Sequence, residues 1–479
     1  MKNGKKTIIY QVLPRLFGND NAQLVSNGTI EQNGCGKFSA FTDPVLAEIR
    51  EMQFNYIWYT GILEHATQTD YTAFDIPNDR PENVKGKAGS PYAIKDYYAV
   101  DPDLADDVSH RMEEFESLIV RTHRAGLKVI IDFVPNHVAV SNQNFDPLNF
   151  YYYPGSDRRV HDYEWTDTVK LNYSNRDTWQ KMLDILLFWS AKKVDGFRCD
   201  MAEMVPVEFW EWVIPQVKEK YPQVIFIAEI YNPDQYRNYV YRGHFDYIYD
   251  KVGLYDTLRA VMAGQQSASA ITQHWQLLGE LQAHMLNFLE NHDEQRIASD
   301  FFAGDARKAR PAMFITATLN TNPYMIYFGQ ELGERGMDSE GFSGLDGRTS
   351  IFDYWSVSTV REWRKGIHPE ISRFYQELLY ISQMPAVAQG KFYDLMYANP
   401  AGKHFNPDKH YVYLRGNEEE IILFSVNFDD KPVNLRVFIP DDAFRYFGIA
   451  PDMISEEIQD NVINIHVEAH KGVICYLAN

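Results

Sequence analysis

Four short segments run from apolar residues into side chains able to do acid–base chemistry. They are Val129-Ile-Ile-Asp-Phe-Val-Pro-Asn-His137, Val194-Asp-Gly-Phe-Arg-Cys-Asp200, Val224-Ile-Phe-Ile-Ala-Glu229 and Leu286-Asn-Phe-Leu-Glu-Asn-His-Asp293. Together they offer Asp200, Glu229 and Asp293 as a carboxylate set, flanked by Arg198, His137 and His292. Cleaving an acetal between two sugars needs one carboxylic acid to protonate the leaving oxygen and one carboxylate to meet the cationic anomeric carbon. With Asp200 as nucleophile and Glu229 as acid and base, the two would end adjacent strands about 5 Å apart, the separation of a retaining mechanism. Arg198 lies two residues before Asp200, on the same strand face, and a nearby guanidinium favours an ionised carboxylate. Glu229, against apolar walls and two other carboxylates, is expected to stay protonated. Asp293 would bind substrate hydroxyls, with His137 and His292 on either side. Asp132 is read as a support for Asn136 and His137. Cys199 alternates to the opposite face and belongs to the core.

These segments need a scaffold that aligns strand ends. Apolar runs at Thr7 to Val12, Tyr56 to Tyr59, Val129 to Val134, Gly196 to Cys199, Val224 to Ala228, Phe245 to Tyr249, Met285 to Phe288 and Tyr324 to Tyr327 read as buried parallel strands. Between them, helical spacing marks Asp43 to Met52, Arg111 to Ala125, Trp179 to Ala191, Val207 to Lys220, Ile271 to Gln282 and Ala306 to Ala317. Eight strand–helix units predict an α/β fold, a (β/α)8 TIM barrel whose chemistry sits at the strands' carboxyl ends. Long connections at about 62–96 and 139–176, rich in Tyr, Asp, Asn, Pro and Gly, would border the site. Beyond Pro385 come short alternating runs at Tyr411 to Arg415, Ile421 to Val426, Val433 to Ile439 and Gly472 to Leu477. The expected layout is a barrel from 1–138 and 177–384, an inserted subdomain at 139–176, and a C-terminal antiparallel β-sandwich at 385–479.

Composition fits a compact enzyme and excludes other classes. The 479 residues are 45% hydrophobic and 23% charged, with no case for disorder. A net charge of −20 opposes nucleic acid and anionic lipid, while a neutral substrate would be indifferent to it. Cys35, Cys199 and Cys475 are odd in number and form no metal or redox pattern, which suits a reducing compartment. The N-terminus passes from a short basic stretch into a strand, and no window approaches a membrane span, so a cytoplasmic protein is expected.

The four segments, as Asp132-Phe-Val-Pro-Asn-His137, Gly196-Phe-Arg-Cys-Asp200, Ile227-Ala-Glu229 and Asn291-His-Asp293, resemble the ordered motifs of the α-amylase superfamily, glycoside hydrolase family 13. Ile9-Tyr-Gln11, Tyr92-Ala-Ile-Lys-Asp-Tyr97 and Pro323-Tyr-Met-Ile-Tyr-Phe-Gly-Gln-Glu331 extend the likeness. The resemblance implies a retaining hydrolase of α-glucosidic bonds in α-1,4-linked glucans or maltooligosaccharides, with Asp200 as nucleophile, Glu229 as acid and base, and Asp293 as transition-state stabiliser. It further implies that Arg198, His137 and His292 line the subsite of the cleaved sugar and that Tyr92 stacks on its ring.

Departures narrow the subtype. Many members carry Lys-His where this chain has Glu203 and Met204; these two, with Ile230 and Tyr231, are expected on the acceptor side. Val169-Lys-Leu-Asn172 is similar to the M-P-K-L-N of neopullulanase-like and cyclomaltodextrinase-like members, but the first barrel strand begins too early for their extra N-terminal domain. Lys170 stands where a calcium-binding aspartate often sits, and an ammonium has no lone pair for a cation. The common calcium site is thus expected absent or degraded, with no other cofactor, and Asn136 would hold the loop by hydrogen bonds. A transglycosylase or sugar isomerase would use the same triad, and a non-catalytic carbohydrate-binding homologue is a third reading. Oligomeric state is left open.

Overall fold

The computed structural model describes residues 4–337 and 341–478. Eight parallel strands form one sheet: β1 (Ile8–Val12), β2 (Tyr56–Tyr59), β3 (Lys128–Phe133), β4 (Gly196–Cys199), β5 (Ile225–Ala228), β6 (Tyr247–Tyr249), β7 (Met285–Leu286) and β8 (Tyr324–Tyr327). Their spatial order is β7-β6-β5-β4-β3-β2-β1-β8. The sheet closes through Asn287 beyond β7: its N–H donates to Pro323 O at 3.0 Å and its carbonyl accepts from Met325 N at 2.9 Å. The result is the expected barrel, with strands buried on both faces because helices cover the outside.

Register decides what the strand ends bring together. Phe133 pairs with Cys199, and Cys199 with Ala228. The ladder then continues one residue further, with Asp200 N donating to Phe133 O at 2.9 Å and Glu229 N to Cys199 O at 3.1 Å. Asp200 and Glu229 are therefore in-register neighbours, one strand spacing apart along the sheet.

Helices follow most strands where apolar spacing permits. Arg111–Arg124 buries Phe115, Leu118, Ile119 and Thr122, the face that meets the sheet. The expected helix from Ile271 to Gln282 instead stops at Leu278, because Gly279 takes φ +52°, and the chain runs on as 3-10 turns. The one expected from Ala306 starts as a 3-10 turn and becomes α only over Arg310–Thr318, where Pro311 sits in the first turn. Two single turns of π-helix, Asn238–Arg242 and Lys251–Tyr255, flank β6.

Both long connections carry a short antiparallel hairpin, Leu63–His65 with Ile94–Val100 and His137–Ala139 with Thr168–Lys170. After β8 come helices Ser358–Trp363 and Glu370–Ser382. Six further strands follow: β9 (Lys391–Asp394), β10 (His410–Gly416), β11 (Ile421–Asn427), β12 (Val433–Phe438), β13 (Val462–Val467) and β14 (Lys471–Ala478). They form a four-stranded antiparallel sheet, β9-β10-β11-β14, and the two-stranded pair β12-β13. Helix Arg310–Thr318 packs on this sheet through Phe314 against Phe424, and Arg415 donates to Leu319 O at 3.0 Å. Among the described residues, no helix is long and apolar enough to cross a membrane.

Candidate active site

A cavity of about 250 Å³ opens at the carboxyl ends of the strands, lined in part by Tyr92, His137, Asp200, Glu229, Tyr231, His292 and Asp293. Arg198 lies beneath it, fully buried. Its guanidinium stands 2.7 Å from Asp200 Oδ1, 2.8 Å from Glu229 Oε2 and 3.4 Å from Asp132 Oδ1, and its Nε donates to the Tyr249 hydroxyl at 3.0 Å. Arg198 thus bears on Glu229 as well as on Asp200, the one carboxylate it was expected to serve. Because the two carboxylates are in-register neighbours, one planar fork reaches both.

Burial dominates the electrostatics of the set. It raises the pKa of Asp200 against the pull of Arg198. It raises that of Glu229 too, again opposed by Arg198 and reinforced by Asp200. Asp293 is pushed well above the usual carboxylate range, by burial and then by the charge of Glu229, although its side chain is 41% accessible where it faces the cavity. Three carboxylates thus share one cation, and their protons are held more tightly than in water.

Glu229 is fixed from two sides: Met201 N donates to Oε2 at 2.8 Å and the Tyr231 hydroxyl to Oε1 at 2.7 Å. Met201 holds a left-handed backbone at φ +43°, rarely adopted by an unbranched non-glycine residue, directly after Asp200.

The histidines are neutral donors. Burial lowers the pKa of His137 to about 4 and that of His292 well below its usual value. The Gln11 amide nitrogen, 2.8 Å from His292 Nδ1, donates to it, so the proton sits on Nε2, which faces the Tyr92 hydroxyl at 2.6 Å and Asp293 Oδ2 at 3.1 Å. The Asn136 amide likewise donates to His137 Nδ1 at 3.2 Å, turning Nε2–H towards Asp200 Oδ2, 3.9 Å away. Tyr92 stacks on His292, with ring centroids 5.1 Å apart.

Asp132 does not support Asn136 and His137 as expected. It accepts from Trp58 Nε1, Gly61 N and the Tyr92 hydroxyl, so it positions Tyr92 and faces Arg198. Glu203 and Met204 lie off the cavity wall. The Glu203 carboxylate accepts from Tyr231 N at 3.2 Å and Asn232 N at 3.1 Å, tying the turn after β4 to the turn after β5. Tyr231 does line the cavity, whereas Ile230 is buried beside it.

The family profile described as the alpha amylase catalytic domain matches this chain over residues 11–169 and 160–370. The chain belongs to the alpha-amylase family. Residues 11–370 are the part that matches the alpha amylase catalytic domain. A relative, Alpha-amylase 2 of Dictyoglomus thermophilum, is 22% identical over 96% of this chain and 74% of its own length. The Intracellular maltogenic amylase of Bacillus subtilis is 24% identical over 69% of this chain and 56% of its own. This chain spans about half the length of several curated relatives it matches. Among solved structures, an alpha-amylase from Lactobacillus plantarum superposes with TM-score 0.70 at 21% identity over 99% of both chains.

Lys170 and Asn136 meet on one carboxylate of the inserted loop. The Lys170 ammonium is 2.7 Å from Asp162 Oδ1, and the Asn136 amide donates to Asp162 Oδ2 at 2.8 Å. One carboxylate is thus already shared between an ammonium and an amide, whereas calcium takes six to eight oxygens. The alpha-amylase motifs left several cavity residues unread: Lys85, Met201, Trp165, Asp167, Ile351 and Phe352. All come from turns and long connections, where no periodicity marks them.

Proposed function

We propose that this chain hydrolyses α-1,4-linked glucans or maltooligosaccharides with retention, through a glycosyl ester on Asp200. The observation that carries this is the in-register pair Asp200 and Glu229, bridged by Arg198 and facing one cavity with Asp293. Glu229, whose proton is held by burial, donates it to the glycosidic oxygen as Asp200 Oδ2, the oxygen not engaged by Arg198, attacks the anomeric carbon. The glycosidic bond breaks, and the leaving sugar departs with the proton. Glu229, now ionised, takes a proton from water, whose oxygen attacks the same carbon and releases Asp200. Asp293 and the Nε2–H groups of His137 and His292 bind hydroxyls of the distorted ring, and Tyr92 forms its apolar wall. The names of relatives, amylases and cyclomaltodextrinase, support the α-1,4 glucan class.

Incubation with maltoheptaose, pullulan, trehalose and sucrose, with products and anomers followed by NMR, tests this. Early α-anomeric maltooligosaccharides from maltoheptaose are expected; inversion, or products only from trehalose or sucrose, would overturn it, and sugar acceptors incorporated in place of water would make it a transglycosylase.

Two further readings accompany this one. The loop at 139–176 holds its shape through Lys170 rather than calcium, so a chelator is expected to leave activity unchanged. The protein works in the cytoplasm, in keeping with three unpaired cysteines and with a relative named as intracellular.

A further inference from the structure

The cavity wall holds an ion pair that the chemistry above does not use. Lys85 Nζ lies 3.2 Å from Asp167 Oδ1, with the Lys85 side chain 24% exposed and that of Asp167 only 3%. Neither Asp167 oxygen has a hydrogen-bond donor aligned on it, so this buried carboxylate is held by the ammonium's charge alone. Among the described residues lining the cavity, Lys85 carries the one ammonium, against Asp167, Asp200, Glu229 and Asp293.

Lys85 is also held in place. It comes from the connection after β2, Asp167 from the one after β3, and Phe352, whose ring lies 5.6 Å from Nζ, from the segment after β8. Gly86, at φ +64°, lets this loop press on that segment: a Cβ there would stand 2.2 Å from the Phe352 carbonyl oxygen, which accepts from Ala88 N. Trp165, two residues before Asp167, packs on His137 with centroids 5.2 Å apart. His137 in turn is the neighbour of Asp200, and the charges of Lys85 and Asp167 both act on it, so the pair belongs to the same cavity wall as the reacting carboxylate.

A buried ion pair is a poor way to stabilise a protein, since a well-packed apolar pair of similar volume serves as well or better. An ammonium has three donors, and Asp167 holds it by charge without an aligned hydrogen bond. Lys85 lines the cavity with its side chain 24% exposed, which leaves these donors available to a ligand there.

We infer that Lys85, oriented by Asp167, is a specificity residue that donates hydrogen bonds to hydroxyls of the glycosyl unit next to the one carried on Asp200. This rests on the glycosidase reading of the site. Turnover of 4-nitrophenyl α-glucoside, with one ring, is compared with that of maltotriose for wild type, Lys85→Met, Lys85→Arg and Asp167→Asn, with melting temperatures measured alongside. A hydrogen bond to a charged group predicts a loss in kcat/KM on maltotriose of about tenfold or more for Lys85→Met, carried mainly by KM, and at least several times the loss on the glucoside. Lys85→Arg should recover most of it, and Asp167→Asn, which leaves the ammonium unanchored, should lose in the same sense. Equal losses on both substrates, or none, would overturn the inference. If wild type turns over neither substrate, the hydrolase reading has failed instead; maltotriose binding by calorimetry to wild type and Lys85→Met then decides on Lys85. Should Lys85→Met not fold, Asp167→Asn carries the same comparison.

Discussion

Arg198 ties the charge of Asp200 to that of Glu229, and the pH dependence of the reaction follows from that. The proposed mechanism needs Asp200 ionised and Glu229 protonated, so kcat/KM should fall on the acid side as Asp200 takes a proton and on the alkaline side as Glu229 loses one. Arg198 lowers both pKa values against burial. A lysine at 198 could reach one carboxylate but not both, so Arg198→Lys should move the limb of the carboxylate it abandons to higher pH and cut kcat/KM by about 10²-fold or more. A pH–rate profile in which neither limb moves would remove Arg198 from this role. Glu229→Gln keeps an oxygen to accept from Met201 N or the Tyr231 hydroxyl but has no proton to give. It should cost about 10²–10⁴-fold in kcat/KM on maltotriose and abolish the alkaline limb. A nitrophenyl glycoside, whose leaving group needs little protonation, should suffer less in its first step.

Elements decide which of these residues meet, and here the sequence was unevenly legible. Strands β2, β4 and β8 run over the residues their apolar runs mark, because turn residues bound each run. Asp200 and Glu229 were readable for the same reason, each sitting one step past such a run, whereas Asp293 lies seven residues past Leu286 and was read from the Asn291-His-Asp293 motif. Strands β9 and β13 were not readable, since their burial is partial and irregular and their stability comes from pairing with β10 and β12. Lys85 and Asp167 were equally silent, as 82 residues separate partners that only the fold joins. The loop at 139–176 lies between these cases. Lys170 was legible as a departure, but its partner Asp162 was not. Asp162 accepts from both Lys170 and Asn136, joining the loop to the hairpin and to the turn after β3. Lys170→Ala should therefore loosen this loop at a cost of about 1 kcal/mol or less, since the pair is partly exposed. Limited proteolysis should cut within 139–176 several times faster in the variant, while the melting temperature falls by only a few degrees. An unchanged cleavage rate would show that Asp162 is not what holds the loop.

For the whole molecule, the buried acids outside the cavity set how stability changes with pH. Glu64, Glu290 and Glu331 are each raised by burial to about 7, although Arg111, Arg296 and the Tyr10 hydroxyl respectively work against the rise. Asp101, Asp103 and Asp132 are raised in the same way to about 6. A carboxyl with a raised folded pKa binds its proton more tightly in the native state, so its stabilisation is complete below the unfolded pKa near 4 and is lost as pH rises through the folded value. The buried histidines act the other way. His65 and His137, lowered to about 4, favour the folded state above about pH 6.5 and lose that contribution as pH falls towards 4. Below pH 6.5 the two groups oppose each other, whereas above it the histidines are neutral in both states and only the raised acids still respond. Stability should therefore decline between about pH 6 and 8, by about 1 kcal/mol for each acid near 7. Against a total of about 5–15 kcal/mol for a folded domain, that is a measurable share. Urea unfolding followed by circular dichroism at pH 6 and pH 8 tests it. Glu331→Gln, whose amide oxygen can still accept from the Tyr10 hydroxyl, should remove about a third of the decline contributed by the three acids near 7. A wild-type midpoint that rises over this interval, or a variant with the wild-type slope, would mean that these acids are ionised in the folded protein.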